Sequence, residues 1–384
     1  VEGGWVRADG TTLGADNGIG VAAVLAVVDD TGVEHGPLEV LLTVSEEQGL
    51  DGAKGLDASL VTGRLLLNLD GTSDDALTIG CAGSDHTLLR LALGSEPVSR
   101  DWEGVRITLS GAKGGHSGGD IAAGRVNAIK ALGRVCASAF AAAPFRLVTF
   151  DGGVSRNAIP RDATVVVVVP REQREALRTA AADTLAAIAH QHASSDGALR
   201  LEFADVPLDA AAPETVTRRA LDLVAAIPTG VLAMSTELHG VVETSTSLTT
   251  AVTHDAVLTL GSMTRSSSRP ALDGALQTAE AIARLGGAEI EVRRSYPPWE
   301  PNLDSSLLAT ARATYKRHIG AEPTLTVVHG GLECAVLGRK LPGVEMVSIG
   351  PEIVGPHAPG EKVRIASTQR FYGLLGALLD DLSR

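Results

Sequence analysis

Three times between residues 105 and 293 the chain repeats one order: a short β-prone run, a helical stretch, then a second β-prone run. Residues 105–110, 121–142 and 145–150 form the first set, 164–169, 171–192 and 199–203 the second, and 257–263, 272–285 and 289–293 the third. Units of this kind bury their helices against their own strands, which predicts a separate α+β domain with its own core. The flanks read differently. Residues 21–28 are apolar at nearly every position and predict a helix buried on most sides. Residues 39–44, 64–69 and 344–349 are short apolar runs of the kind that form interior strands, the first two of them parallel. At the end, Phe371, Leu374, Leu375, Leu378, Leu379 and Leu382 fall on one stripe of an amphipathic closing helix. Polar residues 83–85 and the Pro-rich stretch 296–301 are the natural joins. The pattern predicts an α/β chain whose outer domain, residues 1–84 and 300–384, is interrupted by an inserted domain, residues 85–299.

Charge and composition narrow the function. With 46 acidic against 33 basic residues the net charge is −13, which disfavours nucleic acid and anionic membrane surfaces alike, since both need clustered Lys and Arg. Apolar runs such as residues 165–169 are far shorter than the ~20 residues of a membrane-spanning helix. Cys81, Cys136 and Cys334 lie far apart with no CxxC, so the sequence encodes neither a disulfide framework nor a cysteine zinc site, and a reducing, cytoplasmic compartment is expected.

Chemistry gathers where strands end. In open α/β sheets ligands bind beyond the carboxyl ends of the strands. Ser45-Glu46-Glu47 follows one expected strand, Asp70 follows the next, and Asp16 stands where a helix begins. Carboxylates converging on one edge repel each other unless protons or a cation intervene, and a divalent metal answers that economically. Zinc also favours imidazole, which His357 in the loop after residues 344–349 supplies. Each residue has a bland reading too: Asp16 as a helix cap, Glu46-Glu47 as a solvated pair, His357 as a surface histidine.

In the inserted domain, Gly111-Ala112-Lys113-Gly114-Gly115-His116-Ser117-Gly118-Gly119-Asp120 separates a strand from a helix. Gly115 to Gly119 fits the G-x-S-x-G pattern of serine hydrolases with Ser117 as nucleophile, although Gly111 to Gly114 intervene where that elbow turns directly. His116, held among glycines, is a substrate-contacting candidate.

These stretches resemble the aminoacyl-histidine dipeptidases, Xaa-His peptidases of the co-catalytic zinc exopeptidase group. The matching residues are Thr12-Leu13-Gly14-Ala15-Asp16-Asn17-Gly18-Ile19-Gly20, His35-Gly36-Pro37-Leu38-Glu39-Val40-Leu41-Leu42-Thr43, Glu46-Glu47, Gly114-Gly115-His116-Ser117-Gly118-Gly119, Arg156-Asn157-Ala158-Ile159-Pro160-Arg161, Gly240-Val241-Val242-Glu243-Thr244-Ser245, Gly331-Leu332-Glu333-Cys334 and Met346-Val347-Ser348-Ile349-Gly350-Pro351. The resemblance implies a mostly parallel-sheet zinc-exopeptidase catalytic domain with an inserted α+β lid and dimerisation domain. It implies two zinc ions per subunit, with manganese or cobalt also compatible with such ligands. Asp16 would bridge them, Glu47 and His357 would hold one, and Asp70 the other. Glu46 would be the general base and His116 would stabilise the oxyanion. Asn157, Arg265, Gly331 and Glu333 would contact a short peptide substrate, Arg265 as a fork for its C-terminal carboxylate; the bland alternative for Arg265 is a surface arginine. A homodimer through the middle domain is also implied.

Two departures stand out. The family's upstream His-x-Asp, which completes the second zinc site, occurs nowhere in the 384 residues, and the expectation is a sequence lacking its N-terminal segment. Ser247 stands where the family pattern has Asn. Three readings therefore remain beside dipeptide hydrolysis: an N-acyl amino acid amidohydrolase, a serine hydrolase using Ser117, and an inactive fragment.

Overall fold

The computed structural model describes residues 1–384 other than Gly197. The chain divides into two compact units, one of Val1–Gly83, Thr236–Val241 and Tyr296–Arg384, the other of Ser84–Ser235 and Val242–Ser295.

In the first unit, four strands lie in the order Thr324–Val328, Ala76–Cys81, Glu345–Ser348, Leu65–Asn68. The outer pairs are parallel and the central contact, Ser348 opposite Thr78, is antiparallel. Apolar side chains from this sheet join Ala23 and Val27 of the helix Ala15–Asp29, Leu307, Leu308 and Tyr315 of Ser306–Ile319, and Phe371, Leu374, Leu375 and Leu378 of Ile365–Leu382 in one core. The sequence caps these elements locally. Ser305 accepts the Leu308 N–H, Glu345 accepts the Leu307 N–H at 2.7 Å, and Gly320 closes the helix Ser306–Ile319 in the left-handed conformation.

Two expectations fail here. Residues 39–44 form no strand, and Leu42 and Val44 are 55% and 71% exposed. An apolar run becomes a strand only where a second edge offers hydrogen bonds, and no described strand pairs with it. The helix Ala15–Asp29 buries Ala15, Gly20, Ala23 and Val27 with Ile19 packed beside them, and leaves Leu25 and Val28 exposed. Its apolar composition on all sides reads as burial on all sides, but one face has no neighbour among the described residues.

The second unit is a nine-stranded sheet. Eight strands run in the order Arg200–Val206, Trp102–Ser110, Ala163–Pro170, Arg146–Gly152, Val242–His254, Val257–Ser266, Gly83–Ala92, Glu289–Tyr296, and Gly230–Met234 pairs beside Val242–His254. Ala163–Pro170 is antiparallel to both its neighbours, and Val165 to Val169 are all buried. The helices Ala128–Ala142, Arg174–Gln191, Glu214–Ala226 and Arg269–Gly286 supply the rest of a core that includes Phe140, Phe145 and Phe150. The expected long helix over 121–142 is shorter: Ile121–Ala123 is a single 3-10 turn, and Asn127 caps the helix by accepting the Lys130 N–H. No described helix is long and apolar enough to cross a membrane.

Candidate metal centre

In the first unit the chain ends of three loops meet. One ligand atom each from Asp16, Glu47 and His357 lies within 4.8 Å of the others. His357 Nε2 stands 3.0 Å from Asp16 Oδ2 and 2.8 Å from Glu47 Oε1. Asp16 is not the helix cap: Asn17 Oδ1 accepts the Gly20 N–H at 2.9 Å, and Asp16 and Asn17 both have non-helical dihedrals. The neighbour does the capping, so the Asp16 carboxylate turns to the cluster.

A residue the sequence did not reveal assembles this corner. Glu361, 1% exposed, accepts the N–H of Gly14 at 2.8 Å and of Asp16 at 3.2 Å. Burial pushes its pKa up, but the N–H groups of Gly14, Asp16, Leu13 and Ala15 outweigh that and hold it below the ordinary glutamate value. Glu361 thereby ties the Asp16 loop to the loop carrying His357. No sequence signal marks it, because its partners are backbone groups.

Asp70 follows the strand Leu65–Asn68. Its N–H donates to Asn68 Oδ1, which also accepts from Ser348 Oγ at 2.6 Å. Next to it, Gly71 and Gly350 pass so closely that a Cβ on Gly350 would lie 1.7 Å from the Gly71 carbonyl oxygen, so only glycine fits there. The Asp70 side chain hydrogen-bonds that of Asp16. Glu46 and Glu47 sit on a turn held by Leu50 N–H to Glu46 C=O at 2.9 Å and by Leu50 and Ala53 packing on Val336 and Leu337. Ser45 and His357 both have left-handed φ, 55° and 64°, a strain of roughly 1–3 kcal/mol each that the surrounding contacts must offset.

The cluster's electrostatics follow from its like charges. Burial first, then Glu47, Glu333 and Asp16, raise the Glu46 pKa to about 7, against a lowering pull from His357. Burial, Asp16 and Glu46 push Asp70 well above the carboxylate range, and burial raises Glu47. In the metal-free protein the folded state therefore holds protons that the unfolded chain releases above about pH 4.5. Stability should fall as pH rises from that point through about 8. The buried His86, held below 6.5 chiefly by burial, has lost its proton over the upper part of that window. In chelator, the unfolding midpoint is expected to drop between pH 6.5 and 8.5 and zinc is expected to reverse the trend. A midpoint flat or rising with pH in chelator would refute a mutually repelling cluster.

Two substrate candidates also lie in this unit. A Cβ on Gly331 would collide with the Tyr296 ring at 2.6 Å. Glu333 Oε2 accepts from Thr43 Oγ1 at 2.7 Å.

In the second unit, Gly115 and His116 pair with Ile159 and Ala158, and Ser117 N–H donates to Asn157 C=O at 2.7 Å, so the His116 and Asn157 loops are joined. His116 Nδ1 accepts the N–H of Gly119 at 2.9 Å and of Gly118 at 3.3 Å. A neutral ring so held carries its proton on Nε2. Asp196, 1% exposed, accepts the N–H of Lys113 and Val126, closing both ends of the glycine loop. Ser117 Oγ is buried and has no hydrogen-bond partner among the described residues. Arg265 is 3% exposed on the strand Val257–Ser266, opposite Ser245, and is not a surface arginine. Ser247 stands opposite Met263 on the same strand pair.

Comparison with known proteins fits this picture. The model of peptidase family M20/M25/M40 matches residues 1–381. The cytosol non-specific dipeptidase of Escherichia coli strain K12 is 38% identical over 383 residues, 100% of this chain and 79% of that protein. The crystal structure of aminoacylhistidine dipeptidase from Vibrio alginolyticus superposes with a TM-score of 0.89 at 38% identity, covering 99% of this chain and 78% of the other. Aminopeptidase PepT from Bacillus cereus shares the fold more distantly, with a TM-score of 0.51 at 17% identity over 100% of this chain and 76% of the other.

Proposed function

The chain belongs to peptidase family M20/M25/M40, a family of metal-dependent peptidases, and from that premise we propose that it hydrolyses dipeptides, Xaa-His dipeptides among them, with two zinc ions. The convergence of Asp16, Glu47 and His357 beside Glu46 and Asp70 carries the reading. The donor set suits such an ion: carboxylate oxygens and one imidazole, crowded enough that two carboxyls hold protons at neutral pH without a cation. Glu47 and His357 would hold one zinc, Asp70 the other, with Asp16 shared. When bound, the pair supplies Lewis-acid polarisation of the scissile carbonyl and a lowered water pKa.

The remaining work falls to side chains. Glu46, half-buried beside the cluster, takes a proton from the attacking water and returns it to the leaving amine. His116, with Nε2 bearing the proton, is suited to donate to the developing oxyanion. Arg265 is the proposed fork for the substrate's free carboxylate, and Asn157 and Gly331 are proposed contacts to its backbone. Residues 1–84 and 300–384 are the proposed catalytic domain, and residues 85–299 the proposed lid and dimerisation domain of a cytoplasmic homodimer.

Chelation followed by re-addition of zinc tests the reading. Stripped protein is expected to lose dipeptide hydrolysis and to recover it with zinc, with binding followed directly by calorimetry. Protein that takes up at most one zinc and cleaves no dipeptide would overturn it, and cleavage of N-acyl amino acids in place of dipeptides would transfer the chemistry to an amidohydrolase.

A further inference from the structure

A buried carboxylate oxygen without a donor is costly, and such an oxygen beside a catalytic base points to the ligand that satisfies it. Glu333 opens the helix Glu333–Lys340 in the first unit. Its Oε2 is occupied by the Thr43 hydroxyl at 2.7 Å, which fixes the rotamer. Its Oε1 is shut away from solvent and has no hydrogen-bond partner among the described residues. Thr43 lies three residues before Glu46, and Glu333 is among the charges felt by Glu46. Glu333 stands outside the Asp16, Glu47 and His357 group.

The chemistry of a dipeptide supplies the match. Its α-ammonium is separated from the scissile carbonyl carbon by one Cα, so a substrate whose carbonyl is presented to Glu46 brings a full positive charge into the base's immediate surroundings. An N-acyl amino acid brings a neutral amide there. We propose that Glu333 Oε1 receives the free α-ammonium of the substrate and is the residue that selects dipeptides over N-acylated analogues. The assignment rests on the dipeptidase reading above. The rival is purely structural: Glu333 would merely anchor Thr43 and, through it, the turn that carries Glu46.

Calorimetry on the zinc-loaded full chain separates the two, using a non-hydrolysable phosphinic dipeptide analogue with a free amine and its N-acetyl form. The wild type is expected to bind the free amine about 10- to 100-fold more tightly, the range of a hydrogen bond to a charged group. Glu333→Gln should cut that preference to about 3-fold or less. Thr43→Val removes the anchor but not the charge, and should keep a preference of at least about 10-fold. The assignment is overturned if the wild type shows no preference, or if Glu333→Gln and Thr43→Val weaken both ligands by the same factor. Failure of the wild type to bind either analogue would instead remove the dipeptidase reading, and the role of Glu333 with it.

Discussion

Glu46→Gln is expected to lower kcat on dipeptides by about 1,000-fold while zinc content stays that of the wild type. Glutamine keeps the size of the side chain and removes its ability to accept and return a proton. The side chain is half-buried and lies outside the group of ligand atoms formed by Asp16, Glu47 and His357, so metal uptake should be untouched. Because only its carboxylate form accepts a proton, replacement of Glu46 should also flatten the acid limb of the pH–rate profile. Steady-state kinetics across pH together with metal analysis of the same preparations would check both halves. Retention of more than about a tenth of wild-type kcat would remove Glu46 from the proton-transfer role.

Asp16→Asn should act on the metal itself. Asp16 is the carboxylate that touches both His357 and Asp70, and its loss is expected to weaken zinc binding by at least about 100-fold, beyond what loss of a supporting residue costs. The same change should raise the unfolding midpoint of the metal-free protein at pH 8.5, since one of the repelling charges around Asp70 and Glu46 is gone. Opposite signs in the two measurements are the signature of a site whose charges are kept for a cation at the expense of stability. A variant that loses metal and stability together would point to simple misfolding of the Glu361 corner.

What the sequence discloses depends on whether a signal is local. The valine run of Ala163–Pro170 reads as a strand because its β-branched residues need no distant information. The strand Val242–His254, two places along the same sheet, escapes that reading: it carries Thr244, Ser245, Thr246, Ser247 and Thr249, all buried. Two of its hydroxyls are paired across the sheet, Thr244 with Ser266 at 2.9 Å and Thr246 with Thr264 at 3.0 Å. Polar composition conceals a buried strand when the partners lie elsewhere in the chain. Residues 39–44 show the converse, an apolar run with no partner edge. At the site, Asp70 stands out because it follows a strand and Glu46-Glu47 because they follow an apolar run, even though that run is not a strand, whereas Glu361 and Asp196 do not stand out, since each acts by accepting backbone N–H groups far away in sequence.

The Glu361 contact also bears on when this centre comes into being. Glu361 fastens Gly14 and Asp16 across 347 and 345 positions. At roughly 5–20 residues per second of synthesis, a ribosome needs about 17 to 70 seconds after making Asp16 before it adds Glu361. Throughout that interval the nascent chain presents Asp16, and soon Glu46, Glu47 and Asp70, with neither the imidazole of His357 nor the clasp that orients the first loop. Any cation met on the ribosome finds loose carboxylates of low selectivity. Assembly of the complete centre therefore waits until His357 and Glu361 have been made, and a cation met earlier is held by carboxylates alone.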